Sequence, residues 1–148
     1  MLKVINENAP IYAKKDILIN APVQKVWELF ADINRWPQWQ KNITKADATL
    51  PLNVGSTFAI TNAGIDSQAT INALEHNQYL GWESHYSNRD VQHNWHFTTM
   101  ANGLTLVTDE EAMEGSFAEE NKLAIQPLIE KSKTEWLAFL KTEAEKNN

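Results

Sequence analysis

The two residues whose types and spacing most clearly suggest chemistry are His93 and Glu111. The segment "MANGL" at residues 100–104 predicts a three-residue hairpin loop, with a type I turn followed by Gly103 in the left-handed conformation. Pairing the strands across this loop places His93 directly opposite Glu111. Burial raises the pKa of a carboxyl group, and a neighbouring imidazole can exchange its proton. One hypothesis is therefore an acid/base pair that moves a proton next to a carbonyl group or assists the loss of water.

A structural interpretation of the same pair stands beside the catalytic one. Two buried polar groups that face each other across strands can simply satisfy each other by a hydrogen bond. Structural pairs perturb pKa values as catalytic pairs do, so the sequence leaves both interpretations open.

The hairpin register also predicts which residues share a face with this pair. Strand residues two apart point to the same side, and here that side carries the bulkiest apolar residues, so we assign it to the concave, inward face of a sheet. Pairing Tyr86 with Val91, and a two-residue loop at residues 63–64, extend the face to the neighbouring strands. An apolar lining with a few polar groups suits a small hydrophobic or aromatic ligand. The predicted ligand-binding residues are Trp39, Phe58, Ile60, Ser67, Trp82, Ser84, Tyr86, His93, Trp95, Phe97, Val107, Asp109, Glu111 and Met113.

Other motifs give weaker indications of chemistry. His93 and His96 are three apart on a strand and point to opposite faces, so we predict no metal site. Ser116 lacks the glycine pattern of a nucleophile elbow and is expected to cap a helix. The glycines are dispersed and form no phosphate-binding loop, so no nucleotide or other cofactor is predicted.

The elements that position these residues begin with a strand and a helix. Ile17 and Ile19 follow the two-residue period of a strand, and Pro22 suits the first position of a helix. Apolar residues at helical spacing then predict an amphipathic helix that ends near Asp32.

The tryptophan-rich segment "INRWPQWQKN" follows that helix. Residues 34–40 predict a second, very short helical turn, because proline is tolerated in a first turn. Trp36 and Trp39 then project to the same side, and we expect both to pack at one end of the sheet, with Trp39 nearer the mouth of the cavity.

From Ile43 to Glu114 the sequence predicts six strands with short connections. Connections this short make neighbouring strands antiparallel, since a parallel crossover needs a dozen or more residues. The predicted strands are "ITKADATL", "STFAITN", "IDSQATINALE", "YLGWESHYS", "DVQHNWHFTT" and "LTLVTDEEAME".

A long helix completes the chain. "SFAE" at residues 116–119 matches a capping box, and Pro127 is expected to kink or restart the helix, so that its regular part covers 127–146, about 30 Å. The charged residues between 130 and 146 are expected to form its solvated face. The predicted apolar stripe consists of Ile125, Leu128, Ile129, Trp136, Phe139 and Leu140.

Composition limits the classes of function. A chain of 148 residues fits one domain, residues 1–148, and the net charge of −6 with scattered basic residues opposes binding to nucleic acid. No segment approaches the roughly 20 apolar residues of a membrane span. The absence of cysteine excludes disulfides and fits a cytoplasmic location.

The order of these segments resembles the SRPBCC superfamily, which includes START-like lipid-transfer domains, birch-pollen-allergen-like proteins and the polyketide cyclase/dehydrase group. The resemblance runs from Ile17 to Lys141 through "ILINAPVQKVWELFADINRWPQW", "VGSTFAI", "YLGWES", "HNWHF", "GLTLVTDEEAMEG" and "WLAFLK". It implies an α+β helix-grip fold: a seven-stranded curved antiparallel sheet around a long C-terminal helix, with two short helices after the first strand and a cavity between sheet and helix.

Three functions remain open. The first is a cytoplasmic carrier that holds a small hydrophobic or aromatic molecule, with Phe58, Trp82 and Trp95 among its walls. The second is a cyclase/dehydratase-type enzyme that uses Glu111 and His93. The third is a protein-interaction domain similar to chaperone co-activators of the same superfamily. The sequence is compatible with a monomer or a homodimer.

Overall fold

The seven strands form one antiparallel sheet in the order β1-β7-β6-β5-β4-β3-β2. A computed structural model describes residues 1–146 of the chain. Helix α1 spans Val23–Ala31, a 3-10 helix spans Ile33–Gln38, and the long helix α2 spans Ser116–Ala144. The predicted helix-grip arrangement is therefore confirmed. The strands are β1 Ile11–Ile19, β2 Ile43–Ala48, β3 Thr57–Asn62, β4 Ile65–Glu75, β5 Tyr79–Tyr86, β6 Arg89–Thr99 and β7 Thr105–Glu114.

The register of the β6–β7 hairpin is the predicted one, with His93 opposite Glu111. The loop that sets it differs in detail, because Asn102 has a positive φ of 66° as well as Gly103 at 77°, so the first part of the loop is not a type I turn. The register is nevertheless kept, since the backbone N–H of Met100 donates to the carbonyl oxygen of Leu104.

The predicted β5–β6 register is wrong by two residues. Tyr86 pairs with Arg89, not with Val91, and Trp82 lies opposite His93 instead of beside Trp95. The turn is tighter than predicted, but a shift of two residues leaves every side chain on its predicted face. The β3–β4 register agrees with the two-residue loop at residues 63–64.

Helix α1 and the 3-10 helix close one end of the sheet. Pro22 is the residue before α1, with φ −67° and ψ 151°, and its carbonyl oxygen accepts hydrogen bonds from the N–H groups of Lys25 and Val26. Trp36 is fully buried, and its indole Nε1 donates to the carbonyl oxygen of Phe30 at 2.8 Å. Both the helix and the packing role of Trp36 were therefore predictable.

The start of α2 and its course at Pro127 differ from the expectations. Ser116 is the first helical residue and forms no capping hydrogen bond, because Gly115 occupies the preceding position and accepts a hydrogen bond from the N–H of Glu119. The helix also runs through Pro127 as one element, so the alternative that it restarts there is wrong. Gln126 fixes the first half of the helix to the sheet. Its side-chain oxygen accepts a hydrogen bond from the N–H of Tyr12, and its side-chain nitrogen donates one to the carbonyl oxygen of Tyr12.

The long helix packs mainly against β1 and β7, at one side of the concave face. Two apolar clusters lie beneath it. The first contains most of the aromatic residues, and the second consists of Ile11, Met113 and Ala118 with Val91, Phe117, Ile125 and Ile129 packed against them. Leu128, which was predicted to lie in the apolar stripe, is 60% exposed. Within residues 1–146, no helix is both long and apolar enough to cross a membrane.

Candidate functional site

Four charged or polar side chains meet between the two apolar clusters, and we call them the quartet: His93, Asp109, Glu111 and Lys133. The Lys133 ammonium lies 2.9 Å from Asp109 Oδ1 and 2.9 Å from Glu111 Oε1. His93 Nε2 lies 2.5 Å from the same Asp109 oxygen, and His93 Nδ1 lies 3.7 Å from Glu111 Oε1. One ammonium therefore bridges two carboxylates, and the imidazole joins them from β6.

The members of the quartet come from three elements, β6, β7 and α2, which bring them to one level of the concave face. On β7, Asp109 and Glu111 are two residues apart and point to the concave face. On β6, His93 is adjacent to them and its ring packs against that of Trp82, with the ring centroids 4.6 Å apart. On α2, Lys133 is one turn before the buried Leu137, so it lies on the buried side of the helix.

The short contact with Asp109 indicates which nitrogen of His93 carries a hydrogen. A carboxylate can only accept, so Nε2 must donate to Asp109 Oδ1. Nε2 is then not an acceptor for Lys133 Nζ, which lies 3.4 Å away. The remaining nitrogen, Nδ1, is the one that faces Glu111 and can accept or hold a second proton.

Charge interactions outweigh burial in this network. Burial alone would raise the pKa of Asp109 and of Glu111, but the Lys133 ammonium, helped by His93, holds both pKa values below their ordinary range. Burial would likewise lower the pKa of Lys133, and the two carboxylates raise it instead. The expectation that burial raises the pKa of Glu111 is therefore wrong, because the sequence interpretation did not include the lysine.

Access to the quartet is uneven. The side chains of Asp109 and Lys133 are 0% and 1% exposed, whereas those of His93 and Glu111 are 12% and 14% exposed. Asp109 Oδ2 is buried and has no hydrogen-bond partner among the described residues. The accessible groups of the site are therefore His93 and Glu111, the two residues that the sequence singled out.

Lys133 was missed by the sequence interpretation, which assigned the charged residues of the last helix to its solvated face. Two signals could have indicated it. Lys133 stands at a helical spacing from Ile129 and Leu137, within the apolar stripe, and two inward carboxylates on one strand require a cation to compensate them.

Seven of the fourteen predicted ligand-binding residues pack in the first apolar cluster or at its border. Phe30 from α1 contacts Trp95 and Phe97, with ring centroids 4.3 and 5.3 Å apart, and Trp136 from α2 covers Trp95 at 5.5 Å. Aromatic side chains of the helices thus occupy space that the sequence interpretation assigned to a cavity. The predicted residues in this cluster are Trp39, Phe58, Trp82, Trp95, Phe97 and Val107, with Ile60 at its border.

The remaining predicted residues lie closer to the surface or in the second cluster. Tyr86 is 37% exposed, and Ser67 and Ser84 are half-buried, with the Ser84 hydroxyl donating to the carbonyl oxygen of Gln68 at 2.7 Å. Met113 belongs to the second apolar cluster.

Two surface depressions lie away from the quartet. One, of about 440 Å³, is lined by Trp39 and by charged residues of α1, the 3-10 helix and the end of α2. The other, of about 550 Å³, is lined by residues of β2, β3 and β4 and by Tyr86 of β5, and these include the predicted ligand-binding residues Ile60, Ser67 and Tyr86. Neither is lined by a member of the quartet, and we base the candidate site on the chemistry of the quartet instead.

A metal ion has no evident place at the quartet. Within residues 1–146, no group of three or more His, Cys, Asp or Glu side chains is arranged to hold one. The Lys133 ammonium already occupies the position between Asp109 and Glu111 that a cation would take.

Comparison with known proteins agrees with this fold. The family described as "Polyketide cyclase / dehydrase and lipid transport" matches residues 11–145 of the chain. No curated protein matches the chain.

Several solved structures have the same fold at low sequence identity. A hypothetical protein from Helicobacter pylori is 15% identical, with a TM-score of 0.84 over 98% of this chain and 96% of that one. A START superfamily protein from Mycobacterium smegmatis is 13% identical, with a TM-score of 0.76 over 90% and 97% of the two chains. An aromatase/cyclase from a Streptomyces species is 15% identical, with a TM-score of 0.70 over 90% and 93%.

Proposed function

Since the chain belongs to the polyketide cyclase/dehydrase and lipid transport family, we propose that it binds a small hydrophobic or aromatic molecule on the concave face, beside the quartet. One observation carries the proposal: His93 and Glu111 remain partly accessible, while the Asp109 and Lys133 groups that hold them are buried. A few fixed polar groups beside an apolar wall are what orients a ligand in such a site. We retain the expectation of a cytoplasmic protein that is a monomer or a homodimer.

The apolar wall lies on the side of the quartet away from the aromatic core. Val91, Ile125 and Ile129 are half-buried there and belong to the second apolar cluster. Because α2 packs mainly on β1 and β7, it leaves the concave ends of β4 and β5, including Tyr86, less covered. A ligand at this position would bury apolar side chains that are now partly in water.

The ionisation of Glu111 favours binding over proton donation. Its pKa is below the ordinary range, so at neutral pH it is a carboxylate that can accept a hydrogen bond but has no proton to give. A hydroxyl group of a ligand is the natural partner of such an acceptor. His93 Nδ1, which faces the same side, offers a second polar contact.

Catalysis of the cyclase/dehydratase type is the second candidate, and the His93–Asp109 contact is the observation that favours it. The buried Asp109 fixes the hydrogen of His93 on Nε2, which leaves Nδ1 free to take a proton from a bound substrate. In this mechanism His93 is the base, Asp109 orients it, and Glu111 binds the substrate.

The binding proposal is tested with 2-naphthol and naphthalene, which differ by one hydroxyl group. Calorimetric titration should give tighter binding of 2-naphthol, and Glu111→Gln should weaken that binding roughly tenfold while leaving naphthalene unaffected, since a hydrogen bond to a charged acceptor is replaced by a neutral one. Glu120→Gln makes the same charge change at an exposed position of α2 and is the matched control.

Two results would count against the proposal. One is that neither compound binds and native mass spectrometry of protein isolated from its own host finds no retained molecule. The other is that Glu111→Gln and Glu120→Gln affect 2-naphthol equally. Turnover of an identified substrate that is lost in His93→Gln but kept in Glu111→Gln would favour the second candidate.

A further inference from the structure

Arg89, the first residue of β6, holds its guanidinium group against two aromatic rings. The guanidinium carbon lies 4.3 Å from the centroid of the Tyr86 ring and 4.7 Å from that of the Phe117 ring. Tyr86 is the strand partner of Arg89, and Phe117 is held nearby because its backbone N–H donates to the Asn88 carbonyl oxygen at 3.0 Å. Two cation–π contacts therefore fix the position of this charge.

No carboxylate within residues 1–146 forms an ion pair with Arg89. Its Nη1 donates to the neutral Asn88 Oδ1 at 3.3 Å, and the adjacent Asp90 is engaged with His85 Nδ1 at 2.7 Å. A guanidinium group carries five N–H donors in a fork that matches a carboxylate. In a chain with a net charge of −6, this arginine is thus oriented by its neighbours but not neutralised by them.

The position of Arg89 connects it to the quartet. Arg89, Val91 and His93 alternate along β6 and point to the same concave face. At about 3.3 Å per residue, Arg89 and His93 are about 13 Å apart along the strand. The half-buried side chains between them include the apolar Val91 from β6 with Ile125 and Ile129 from α2, and Ser84 opposite Val91, whose hydroxyl already donates to the Gln68 carbonyl oxygen. The concave face thus has a cation at one end, a mainly apolar middle and the polar groups of the quartet at the other end.

We propose that the ligand is a hydrophobic carboxylate: its carboxylate group binds Arg89, and its hydroxyl or carbonyl group reaches His93 and Glu111. A carboxylate fits better than a phosphate monoester, because one guanidinium group offers one positive charge and a bidentate fork, whereas a phosphate monoester carries a charge of about −1.5 to −2. This inference rests on the proposed binding function of the concave face and specifies the class of its ligand.

The test compares 10-hydroxydecanoic acid with 1,10-decanediol, two probes of similar length and apolar content that differ in one end group. Calorimetric titration of the whole chain at pH 7 should give roughly 10- to 100-fold tighter binding of the acid, the range expected for hydrogen bonds to a charged group. Arg89→Gln should remove this preference and leave the affinity for the diol unchanged. Arg35→Gln, which alters the other arginine of the chain, should keep the preference.

The outcomes separate this inference from the function on which it rests. If the acid and the diol bind equally, or if Arg89→Gln keeps the preference, the role of Arg89 is refuted while the binding function stands. If the preference disappears in Arg35→Gln instead, the carboxylate binds in the depression beside Trp39 and the inference is also refuted. If neither probe binds while 2-naphthol does, the hydrophobic-carboxylate class is refuted and the binding function stands, and if 2-naphthol also fails to bind, the binding function itself fails. Unchanged affinity of Arg89→Gln for the diol also shows that the variant is folded.

Discussion

Replacing Lys133 by methionine is the sharpest test of the quartet. Methionine is similar in length but carries no charge, so Lys133→Met leaves Asp109 and Glu111 facing each other without a cation. Asp109 is 0% exposed and Glu111 is 14% exposed, so neither charge can be fully hydrated. Removing one partner of a buried ion pair costs about 3–5 kcal/mol, and we expect a loss of this size in the free energy of unfolding at pH 7. That is a large part of the about 5–15 kcal/mol typical of a domain.

The variant should also reverse the dependence of stability on pH. In the natural protein the folded-state pKa values of Asp109 and Glu111 are lowered, so their contribution is present above the unfolded values of about 3.9 and 4.3 and is lost as the pH falls through the folded values. Without Lys133, burial raises both folded-state pKa values, and protonation relieves the unfavourable charges. Between pH 7 and pH 5 the variant should therefore gain stability, whereas these two groups leave the natural protein nearly unchanged.

Urea denaturation followed by tryptophan fluorescence at pH 5 and pH 7 measures both effects. Lys131→Met, at an exposed position of the same helix, is the matched control and should change the unfolding free energy by less than about 0.5 kcal/mol. Adding Asp109→Asn and Glu111→Gln to Lys133→Met should recover much of the loss, because no buried charge then lacks a partner. A loss below about 1 kcal/mol at pH 7, or a pH trend like that of the natural protein, would refute the electrostatic account.

Three further substitutions test the packing around the site by the same urea denaturation. Trp36→Ala should cost about 3–5 kcal/mol because the ring is fully buried, and altered ligand binding at unchanged stability would show that its role is not packing. Gly115→Ala should cost about 1–3 kcal/mol, because φ is +109° and an added Cβ would lie 2.5 Å from the Asn88 carbonyl oxygen; an unchanged midpoint would contradict this close approach. Ser116→Ala should change stability by less than about 0.5 kcal/mol, and a loss near 1 kcal/mol would restore the capping role that the structure denies.

The order of β2 to β7 and the registers of the β3–β4 and β6–β7 hairpins followed from short connections, whereas the place of β1 beside β7 did not. A loop of two or three residues allows only antiparallel neighbours, and its length sets which residues face each other. This reasoning placed His93 opposite Glu111. The β5–β6 turn was the exception. The segment "SNRD" permits a four-residue loop at residues 87–90, which was predicted, or a two-residue loop at residues 87–88, which is the one that formed.

The start of α2 and the role of Lys133 depended on contacts distant in sequence. The pattern at residues 116–119 is that of a capping box, yet the close approach of Gly115 to Asn88 determines how the helix begins. Helical periodicity alone assigns a lysine to the solvent. Lys133 lies 22 residues after Glu111 in the sequence, and only the packing of α2 over β7 brings its ammonium to the carboxylates.

The quartet is difficult to explain by stability alone. It separates the second apolar cluster from the first at a level where apolar side chains would continue the core, and replacement of a buried ion pair by apolar residues is often neutral or stabilising. A binding role explains the arrangement better, because the buried Asp109 and Lys133 orient two accessible groups. Glu111, an accessible carboxylate whose pKa lies below its ordinary range, favours a hydroxyl donor at this end of the site. Arg89, about 13 Å away, favours an anion. Opposite charges at the two ends would therefore set the direction in which an amphipathic ligand binds.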